Sequence, residues 1–197
     1  LPLQRARVLA LLVAADAEGA HVLVLPELSV DRDIAEAAAQ WVESQARSLK
    51  LVVCGSFHES TNAGRSNTAL VVVRGRPPYE HHKFARFDLN GAIEDITVND
   101  PRIVVHYGAE LSMATVICKD VLDAHAEDLL RLARVGLLLV PAFSRRTTDF
   151  WATAGSLASK AQTHVCVANL CEPDETERPA VAIVARPRRG QAADLVG

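Results

Sequence analysis

Short, unbroken apolar runs separated by helical patterns constrain the fold of this 197-residue chain more than any other feature. The runs are HVLVL at 21–25, LVVCGSF at 51–57, ALVVV at 69–73, IVVHY at 103–107, MATVI at 113–117, GLLLV at 136–140, HVCVANL at 164–170 and AVAIVA at 180–185. A run of this length without polar alternation is typical of a strand that is buried on both faces. The pattern therefore predicts an α/β fold in which helices cover a central system of sheets.

Three segments follow the spacing of helices that bury one face. Their apolar positions are Ile34, Ala37, Ala38, Trp41 and Val42 in the first, Leu122, Ala126, Leu129, Leu130 and Ala133 in the second, and Phe150, Ala154, Leu157, Ala158 and Ala161 in the third. Asp33 and Glu36 have the spacing of a capping box at the start of the first helix. Turn-rich segments at 60–67 and 171–179 are predicted loops, and residues 1–197 are interpreted as a single domain because no linker or repeat divides them.

Three reactive side chains stand where apolar segments end. Glu27 follows HVLVL after Pro26, Lys83 ends the segment YEHHK, and Cys118 follows MATVI directly. Because open α/β sheets bind ligands at the carboxyl ends of their strands, we expect Glu27 and Cys118 to lie at the same edge. The helical pattern after Asp120 places the thiol near a helix N-terminus, where the positive potential favours the thiolate.

These three groups are sufficient to cleave an amide or a nitrile without a metal or an organic cofactor. A free thiol has a pKa of about 8.5, so a neighbouring carboxylate is needed to accept its proton and later return it to the leaving amine. An ammonium beside the carbonyl oxygen stabilises the charge of the tetrahedral intermediate. The sequence therefore predicts Glu27 as the general base, Lys83 as the partner of the oxyanion and Cys118 as the nucleophile.

The same segments resemble the sequence motifs of the nitrilase superfamily, the carbon-nitrogen hydrolases. VLVLPELS resembles its Glu motif, HHKFARFD its Lys motif and ATVICKD its nucleophile motif, and VPAFSRRTTDFWATAGSLASKAQTHVCVANL resembles the strand, helix and strand that follow. The resemblance implies an α-β-β-α sandwich of the nitrilase type with a Glu27, Lys83, Cys118 triad. It also implies hydrolysis of a non-peptide carbon-nitrogen bond through a thioester, with amides the commoner substrates of that superfamily and nitriles the rarer ones.

The resemblance implies two auxiliary site residues and an assembly. Glu94 has the place of a second glutamate that orients the lysine in many family members, and the alternative is an ordinary loop acid beside Asp95. The backbone N–H of Lys119 has the place of a second donor to the oxyanion. Family members usually pair through the helices next to the nucleophile, here residues 122–134 and 147–161, so a homodimer or a higher oligomer is expected.

Two departures from the family pattern leave other functions open. Lys119 occupies a position where an aromatic residue is common, and the sequence begins in a helix and stops at Gly197, without the first strand and the C-terminal tail of the family. The sequence is therefore interpreted either as a trimmed part of a longer protein or as a reduced family member. A catalytically silent module that binds a ligand or a partner is one alternative function, and an acyltransferase that uses the same thioester is another.

Composition and the remaining motifs exclude several classes of function. The net charge of −3 argues against a nucleic-acid binder, and charged residues interrupt the apolar opening segment too early for a membrane span. Four cysteines without a disulfide framework predict reduced thiols and a cytoplasmic setting. No metal site is expected from His164, Cys166 and Cys171, which lack a paired metal motif, and His81 and His82 are interpreted as exposed loop histidines.

Overall fold

The computed structural model describes residues 2–62, 64–89, 91–98, 101–170, 182–188 and 193–196, so Cys171 and the loop predicted at 171–179 lie outside the described residues. Within them the helices are α1 (Pro2–Ala17), α2 (Arg32–Gln45), α3 (Ala124–Leu132) and α4 (Thr148–Ala161), and a 3-10 helix spans Cys118–Leu122. The strands are β1 (Val22–Val24), β2 (Leu51–Thr61), β3 (Gly64–Val73), β4 (Tyr79–His82), β5 (Asp88–Leu89), β6 (Ala92–Ile93), β7 (Val105–Tyr107), β8 (Ser112–Thr115), β9 (Leu137–Ala142), β10 (His164–Asn169), β11 (Ala182–Arg186) and β12 (Asp194–Val196). None of the described helices has the length and the apolar character that crossing a bilayer requires.

Two sheets pack face to face between two layers of helices. The first sheet has the strand order β1-β2-β3-β4, and the second has the order β12-β11-β10-β9-β8-β7. Successive side chains of a strand point to opposite faces, so Val53 and Val71 pack against the second sheet, whereas Val52 and Val72 pack against α1 and α2. Helix α4 packs on β10 and β11 of the second sheet, beside α3. The predicted α-β-β-α sandwich is therefore confirmed.

The connections of the parallel strands bring three loops to one edge of the sandwich. The pairs β1–β2, β8–β9 and β9–β10 are parallel, and each pair is joined through a helix. The Glu27 N–H donates to the carbonyl oxygen of Ala142 at 3.3 Å, which holds the end of β1 in the first sheet against the end of β9 in the second. The edge predicted from the sequence is thus formed by both sheets together.

The predicted loop at 60–67 is wrong, because most of it belongs to a long β-hairpin. Strand β2 continues to Thr61, and β3 begins at Gly64, with the register Thr61 to Gly64 at the end of the hairpin. Cross-strand pairing over this length outweighs the turn-favouring composition of the segment. As a result Asn67 lies within β3 and is fully buried.

Two further details differ from the sequence predictions. The N-cap of α2 is Asp31, whose side chain accepts a hydrogen bond from the Ile34 N–H at 2.8 Å, so the capping box predicted at Asp33 and Glu36 is wrong. The run IVVHY forms only the three-residue strand β7, and Tyr107 is 71% exposed. Strand β7 ends the order of the second sheet, so it lacks the two-sided cover that the apolar run predicts.

Candidate active site

Glu27 lies in a tight turn after β1 that holds its side chain inside the protein. Leu28 adopts a positive φ of 54°, and Ser29 Oγ donates to the carbonyl oxygen of Pro26 at 2.6 Å. Gly55, at an irregularity of β2, allows the turn to approach, because a Cβ atom there would lie 2.6 Å from the same carbonyl oxygen. The turn leaves Glu27 only 2% exposed.

Four inward-facing side chains, Glu27, Asn67, Lys83 and Glu94, form a group that we name the buried charged cluster. Lys83 Nζ lies 2.8 Å from Glu27 Oε1 and 2.7 Å from Glu94 Oε2. Asn67 Nδ2 donates to Glu27 Oε1 at 2.9 Å and to Glu94 Oε1 at 3.1 Å. One ammonium and one amide therefore cross-link the same two carboxylates, which fixes both acids in position.

Backbone hydrogen bonds place Lys83 and Glu94 beside Asn67. The Lys83 N–H donates to the carbonyl oxygen of Asn67 at 2.9 Å, so it prolongs the pairing of β3 with β4. Glu94 follows β6, and its N–H donates to the carbonyl oxygen of Phe87 at 2.7 Å. The Phe87 N–H in turn donates to Glu94 Oε2 at 3.1 Å. The short β5–β6 hairpin thus orients the Glu94 carboxylate toward the lysine.

Opposite charges keep Lys83 and Glu94 ionised. Burial alone lowers the pKa of Lys83, but the negative charge of Glu27 and hydrogen bonds to Glu27 and Glu94 outweigh it, and the pKa of Lys83 is raised. Burial alone raises the pKa of Glu94, but hydrogen bonds from Lys83 and Asn67 outweigh it, and the pKa of Glu94 is lowered. At neutral pH, Lys83 is therefore an ammonium and Glu94 a carboxylate.

Cys118 occupies a sharp turn between β8 and the 3-10 helix. Its φ is 49°, in the left-handed region that is uncommon for residues other than glycine, and the residue is 2% exposed. A strained turn that follows a strand is one way to hold a nucleophile in a fixed position. The turn brings Cys118 to the same cavity as Glu27, Lys83 and Glu94.

The prediction that a helix N-terminus favours the Cys118 thiolate is wrong. Burial raises the pKa of Cys118, and the charge of Glu27 raises it further, against an opposing effect of Lys83. The helix that begins at Cys118 is a five-residue 3-10 helix, and the α-helix begins only at Ala124. Because the dipole effect acts within the first turn of a helix, it does not offset this burial. The resting thiol keeps its proton at neutral pH.

Asp120 is a buried tether between the segment that carries the thiol and the segment that carries the ammonium. Its Oδ2 accepts a hydrogen bond from the Ile117 N–H at 3.0 Å. Its Oδ1 accepts hydrogen bonds from the Phe84 N–H at 3.0 Å and the Ala85 N–H at 2.7 Å. Because one segment follows β8 and the other follows β4, this carboxylate links the two sheets beside the site.

His81 packs against the same tether. It is 2% exposed, and its Nε2 lies 3.5 Å from Asp120 Oδ2, so the interpretation as an exposed loop histidine is wrong for it. His82 is exposed, although it also belongs to β4. Strand alternation explains the difference, since neighbouring residues of a strand point to opposite faces.

A cavity of about 770 Å³ opens at the edge where the two sheets meet. Its inner end is formed by Glu27, Lys83 and Cys118, all of which are buried. Its lining residues are Glu27, Leu28, His58, Lys83, Phe87, Ala92, Ile93, Glu94, Cys118, Phe143, Ser144, Arg145 and Arg146. The exposed side chains among them, including Ile93 and Phe143, form the mouth. The cavity therefore joins a charged interior to solvent through largely apolar walls.

The structure places the other candidates as follows. Lys119 follows the thiol in the 3-10 helix and is half-buried, and it does not belong to the described lining of the cavity. His164 and Cys166 both lie on β10, and His164 is exposed. No group of three or more His, Cys, Asp or Glu residues within the described ranges has a geometry suited to a metal ion.

Asn67 is the residue of this site that the sequence interpretation missed. The turn-rich composition of 60–67 predicts a loop there, although Asn67 lies two residues before the apolar run at 69–73. A polar side chain at the start of an antiparallel strand lies at the edge where the neighbouring parallel strands end, and that rule identifies it. Ser144, Arg145 and Arg146 were also missed, and they follow the end of the parallel strand β9, so the rule that identifies Glu27 and Cys118 identifies them.

No family model and no curated protein matches this sequence, whereas solved structures match its fold. The chain is similar to glutamine-dependent NAD+ synthetase from Acinetobacter baumannii, with a TM-score of 0.75 and 15% identity over 99% of this chain and 40% of the synthetase chain. It is also similar to a cysteine-to-serine mutant of the Nesterenkonia AN1 amidase from the nitrilase superfamily, with a TM-score of 0.71 and 19% identity over 98% of this chain and 82% of the amidase chain. The fold is of the nitrilase type.

A second similar structure is that of a glutamate-to-glutamine mutant of the Nesterenkonia amidase. It contains the result of Michael addition of acrylamide at the active site cysteine of the amidase, with a TM-score of 0.70 and 18% identity over 93% of this chain and 78% of that chain. The nitrilase-type fold implied by the sequence motifs is thus confirmed, and the present chain spans 40% of the length of the synthetase.

Proposed function

We propose that this chain hydrolyses the carbon-nitrogen bond of an amide through a thioester on Cys118. The observation that carries the proposal is the cavity itself, which brings a thiol, an ammonium and two carboxylates together at its buried end. Charged groups are retained in a protein interior at a high desolvation cost, and clusters of them in a cleft are typical of active sites. The nitrilase-type fold and the amidase structures that share it support the same reaction.

In the first half of the proposed reaction, Cys118 becomes acylated. Glu27 accepts the proton of the Cys118 thiol as the sulfur attacks the carbonyl carbon, and a carbon-sulfur bond forms. The negative charge that develops on the carbonyl oxygen faces the Lys83 ammonium and the Lys119 N–H. The carbon-nitrogen bond then breaks, and the proton held by Glu27 passes to the leaving nitrogen. The products are ammonia or an amine and a thioester.

In the second half, water releases the acid. Glu27 accepts a proton from the water molecule as its oxygen attacks the thioester carbon. The carbon-sulfur bond breaks, and the proton returns from Glu27 to the sulfur. The carboxylic acid leaves, and each residue regains its starting protonation state.

The raised pKa of Cys118 supports this order of proton transfer. A buried thiol that keeps its proton has to lose it during the attack, so it needs a base within reach. Glu27 lines the same cavity and is held by Asn67 and Lys83. In the proposal, Glu94 and Asn67 are positioning residues, because they orient the ammonium and the base and do not contact the reacting carbon.

Replacement of Cys118 tests the proposal. We expect Cys118→Ala to abolish release of ammonia from a panel of small aliphatic amides that includes butyramide, while thermal unfolding still shows a folded protein. Cys166→Ser is the matched control, because Cys166 lies on β10 away from the lining of the cavity. Mass spectrometry of the wild-type protein during turnover should show an acyl adduct on Cys118. Undiminished ammonia release by Cys118→Ala would rule out the proposed nucleophile.

The same assay separates hydrolysis from the two alternatives. An acyltransferase would form the Cys118 adduct and deliver it to an added amine in preference to water. A catalytically silent module would bind amides without forming an adduct or releasing ammonia.

A further inference from the structure

We propose that the mouth of this cavity selects amides whose far end carries a carboxylate, which Arg145 and Arg146 bind. The inference rests on the proposed amidase function and names the class of substrate for that site. Both arginines belong to the lining of the cavity, and both are exposed, so they lie at its solvent end. The reacting groups lie at its buried end.

The loop that carries the two arginines is held in a defined conformation. The Ser144 N–H donates to Asn169 Oδ1 at 2.8 Å, and Asn169 Nδ2 donates to the carbonyl oxygen of Ser144 at 2.9 Å. Ser144 Oγ donates to the carbonyl oxygen of Arg146 at 2.8 Å, and the Arg146 N–H lies 3.2 Å from the same Oγ. Asn169 is buried at the end of β10, so the loop is fixed to the sheet beneath it.

The arginines supply charge that the inner end of the cavity lacks. The buried charged cluster places two carboxylates against one ammonium, so by itself it repels an anionic substrate. Within the described part of the chain, neither Arg145 nor Arg146 forms an ion pair with a carboxylate. Their positive charges lie at the exposed end of the cavity, where positive charge attracts an anionic group.

The shape and chemistry of the cavity define the ligand. Leu28, Phe87, Ile93 and Phe143 also line the cavity, and their apolar side chains suit a short aliphatic spacer. A guanidinium group presents a planar fork of donors that matches a carboxylate better than an ammonium does. A monoamide of a dicarboxylic acid has both features, with the amide at one end and the carboxylate at the other.

The test compares matched pairs of amides on the chain as it stands. Butyramide and succinamate differ in that a carboxylate replaces the terminal methyl group, and pentanamide and glutaramate form a pair that is one methylene longer. We expect kcat/KM to favour the carboxylate member of at least one pair, and the preference to weaken as salt is added. In Arg145→Ala/Arg146→Ala, the ratio should fall about tenfold, since each exposed ion pair contributes modestly.

Three variants separate charge from loop structure. Arg145→Lys/Arg146→Lys keeps the charge and removes the fork, so it should retain part of the preference. Arg145→Glu/Arg146→Glu should reverse the preference, so that the neutral amide is the better substrate. Arg131→Ala, on the exposed surface of α3 outside the cavity lining, should leave both rates unchanged.

The outcomes distinguish this inference from the proposed function. Turnover of amides with no preference for the carboxylate member of either pair overturns the inference and leaves the amidase proposal intact. If no amide is turned over, calorimetry with succinamate and glutaramate decides: binding that the alanine double variant loses supports the inference and defeats the amidase proposal. Absence of both turnover and binding overturns the two together.

Discussion

Among the residues that the structure describes, two clusters in which one cation meets at least two carboxylates differ in their access to water. In the buried charged cluster, the side chain of Lys83 is 2% exposed and those of Glu27 and Glu94 are 3% and 11% exposed. In the second cluster, which we name the Arg32 cluster, Arg32 pairs with Glu59 and Glu80, and these side chains are between 29% and 36% exposed. Both clusters contain residues from strands of the first sheet or from the segments that follow them. The two clusters can therefore be compared within the same part of the fold.

The comparison separates exposed ion pairs, which add little stability, from buried ion pairs, which are costly to retain and mark a candidate active site. Water screens the Arg32 cluster, and such pairs stabilise a protein by roughly 0–1 kcal/mol each. The buried charged cluster has lost most of its hydration, and loss of one partner from such a cluster costs about 3–5 kcal/mol, because the remaining charge is left uncompensated. The buried charged cluster is costly to bury and lies in the same cavity as the Cys118 thiol, which is consistent with a catalytic role. The Arg32 cluster is consistent with a surface contact that adds a little stability.

The largest expected effect comes from removing the cation of each cluster. Lys83→Met should reduce amide turnover about 1,000-fold or more, because the oxyanion loses its charged partner. It should also lower the free energy of unfolding by about 3 kcal/mol, because Glu27 and Glu94 lose their counter-charge. Arg32→Met is the matched control and should change stability by at most about 1 kcal/mol. Urea unfolding and steady-state assays measure both, and similar losses in the two variants would erase the distinction between the clusters.

A smaller effect is expected from the neutral member of the buried charged cluster. Asn67→Leu keeps the approximate size of the side chain and removes two hydrogen bonds to carboxylates, so kcat/KM should fall about 100-fold. Because Asn67 lowers the pKa of Glu94, its loss should raise that pKa and move the acid limb of the pH profile to higher pH. Asn62→Leu, in the exposed turn of the β2–β3 hairpin, serves as the control. A pH profile that keeps its position while the rate falls would argue for a packing role only.

The smallest expected effect is on the pH dependence of stability. The pKa of Glu94 is lowered, so its stabilising contribution is complete above its ordinary value of about 4.3 and is lost as the pH falls through its lower folded-state pKa. The pKa of Lys83 is raised, so its contribution is complete below about 10.4 and is lost only as the pH rises beyond that value. Glu94 and Lys83 should therefore add no pH dependence of stability between about pH 6 and 9.

Acid unfolding of two variants isolates this contribution. Glu94→Gln should flatten the loss of stability as the pH falls below about 4.3, the ordinary value, because the wild-type contribution is lost as the native carboxylate takes up a proton there. The pKa of Glu59 is also lowered, by hydrogen bonds from Arg32, but water screens that pair, so Glu59→Gln should flatten the curve less. Urea titrations at several pH values provide the comparison, and an equal change in both variants would contradict it.

The positions of Glu27 and Cys118 could be predicted from the sequence because they follow from a local rule. Cys118 comes directly after a buried apolar run and Glu27 one residue later than that, and parallel strands end at a common edge. Lys83 follows the edge strand β4, and the hydrophobic pattern of that segment does not predict a site residue. The resemblance of the segment to a known motif is what identifies Lys83 as a candidate. The layered architecture was predictable for a similar reason, since several runs of buried strands require cover on both faces.

The features that were mispredicted depend on contacts distant in sequence. The burial of His81 depends on Asp120, 39 residues away, and the burial of Asn67 depends on pairing that extends the hairpin into turn-like residues. The protonation state of Cys118 depends on Glu27 and on burial between two sheets, which no local helix signal reports. Tertiary contacts, and not residue type, decide each of these cases.

The division of the site between two sheets has a consequence for how the protein acquires reactivity. Glu27 and Lys83 follow strands of the first sheet, Glu94 follows the separate β5–β6 hairpin, and the thiol follows a strand of the second sheet. Asp120 connects the segment of the thiol to the segment of the ammonium. During synthesis, residues up to Lys83 leave the ribosome before Cys118 does, and contacts between distant segments form late in folding. In the proposed mechanism, the thiol therefore meets its general base only when the two sheets dock. On that proposal, an incompletely folded chain lacks both the base and the oxyanion partner that the thiol needs in order to react.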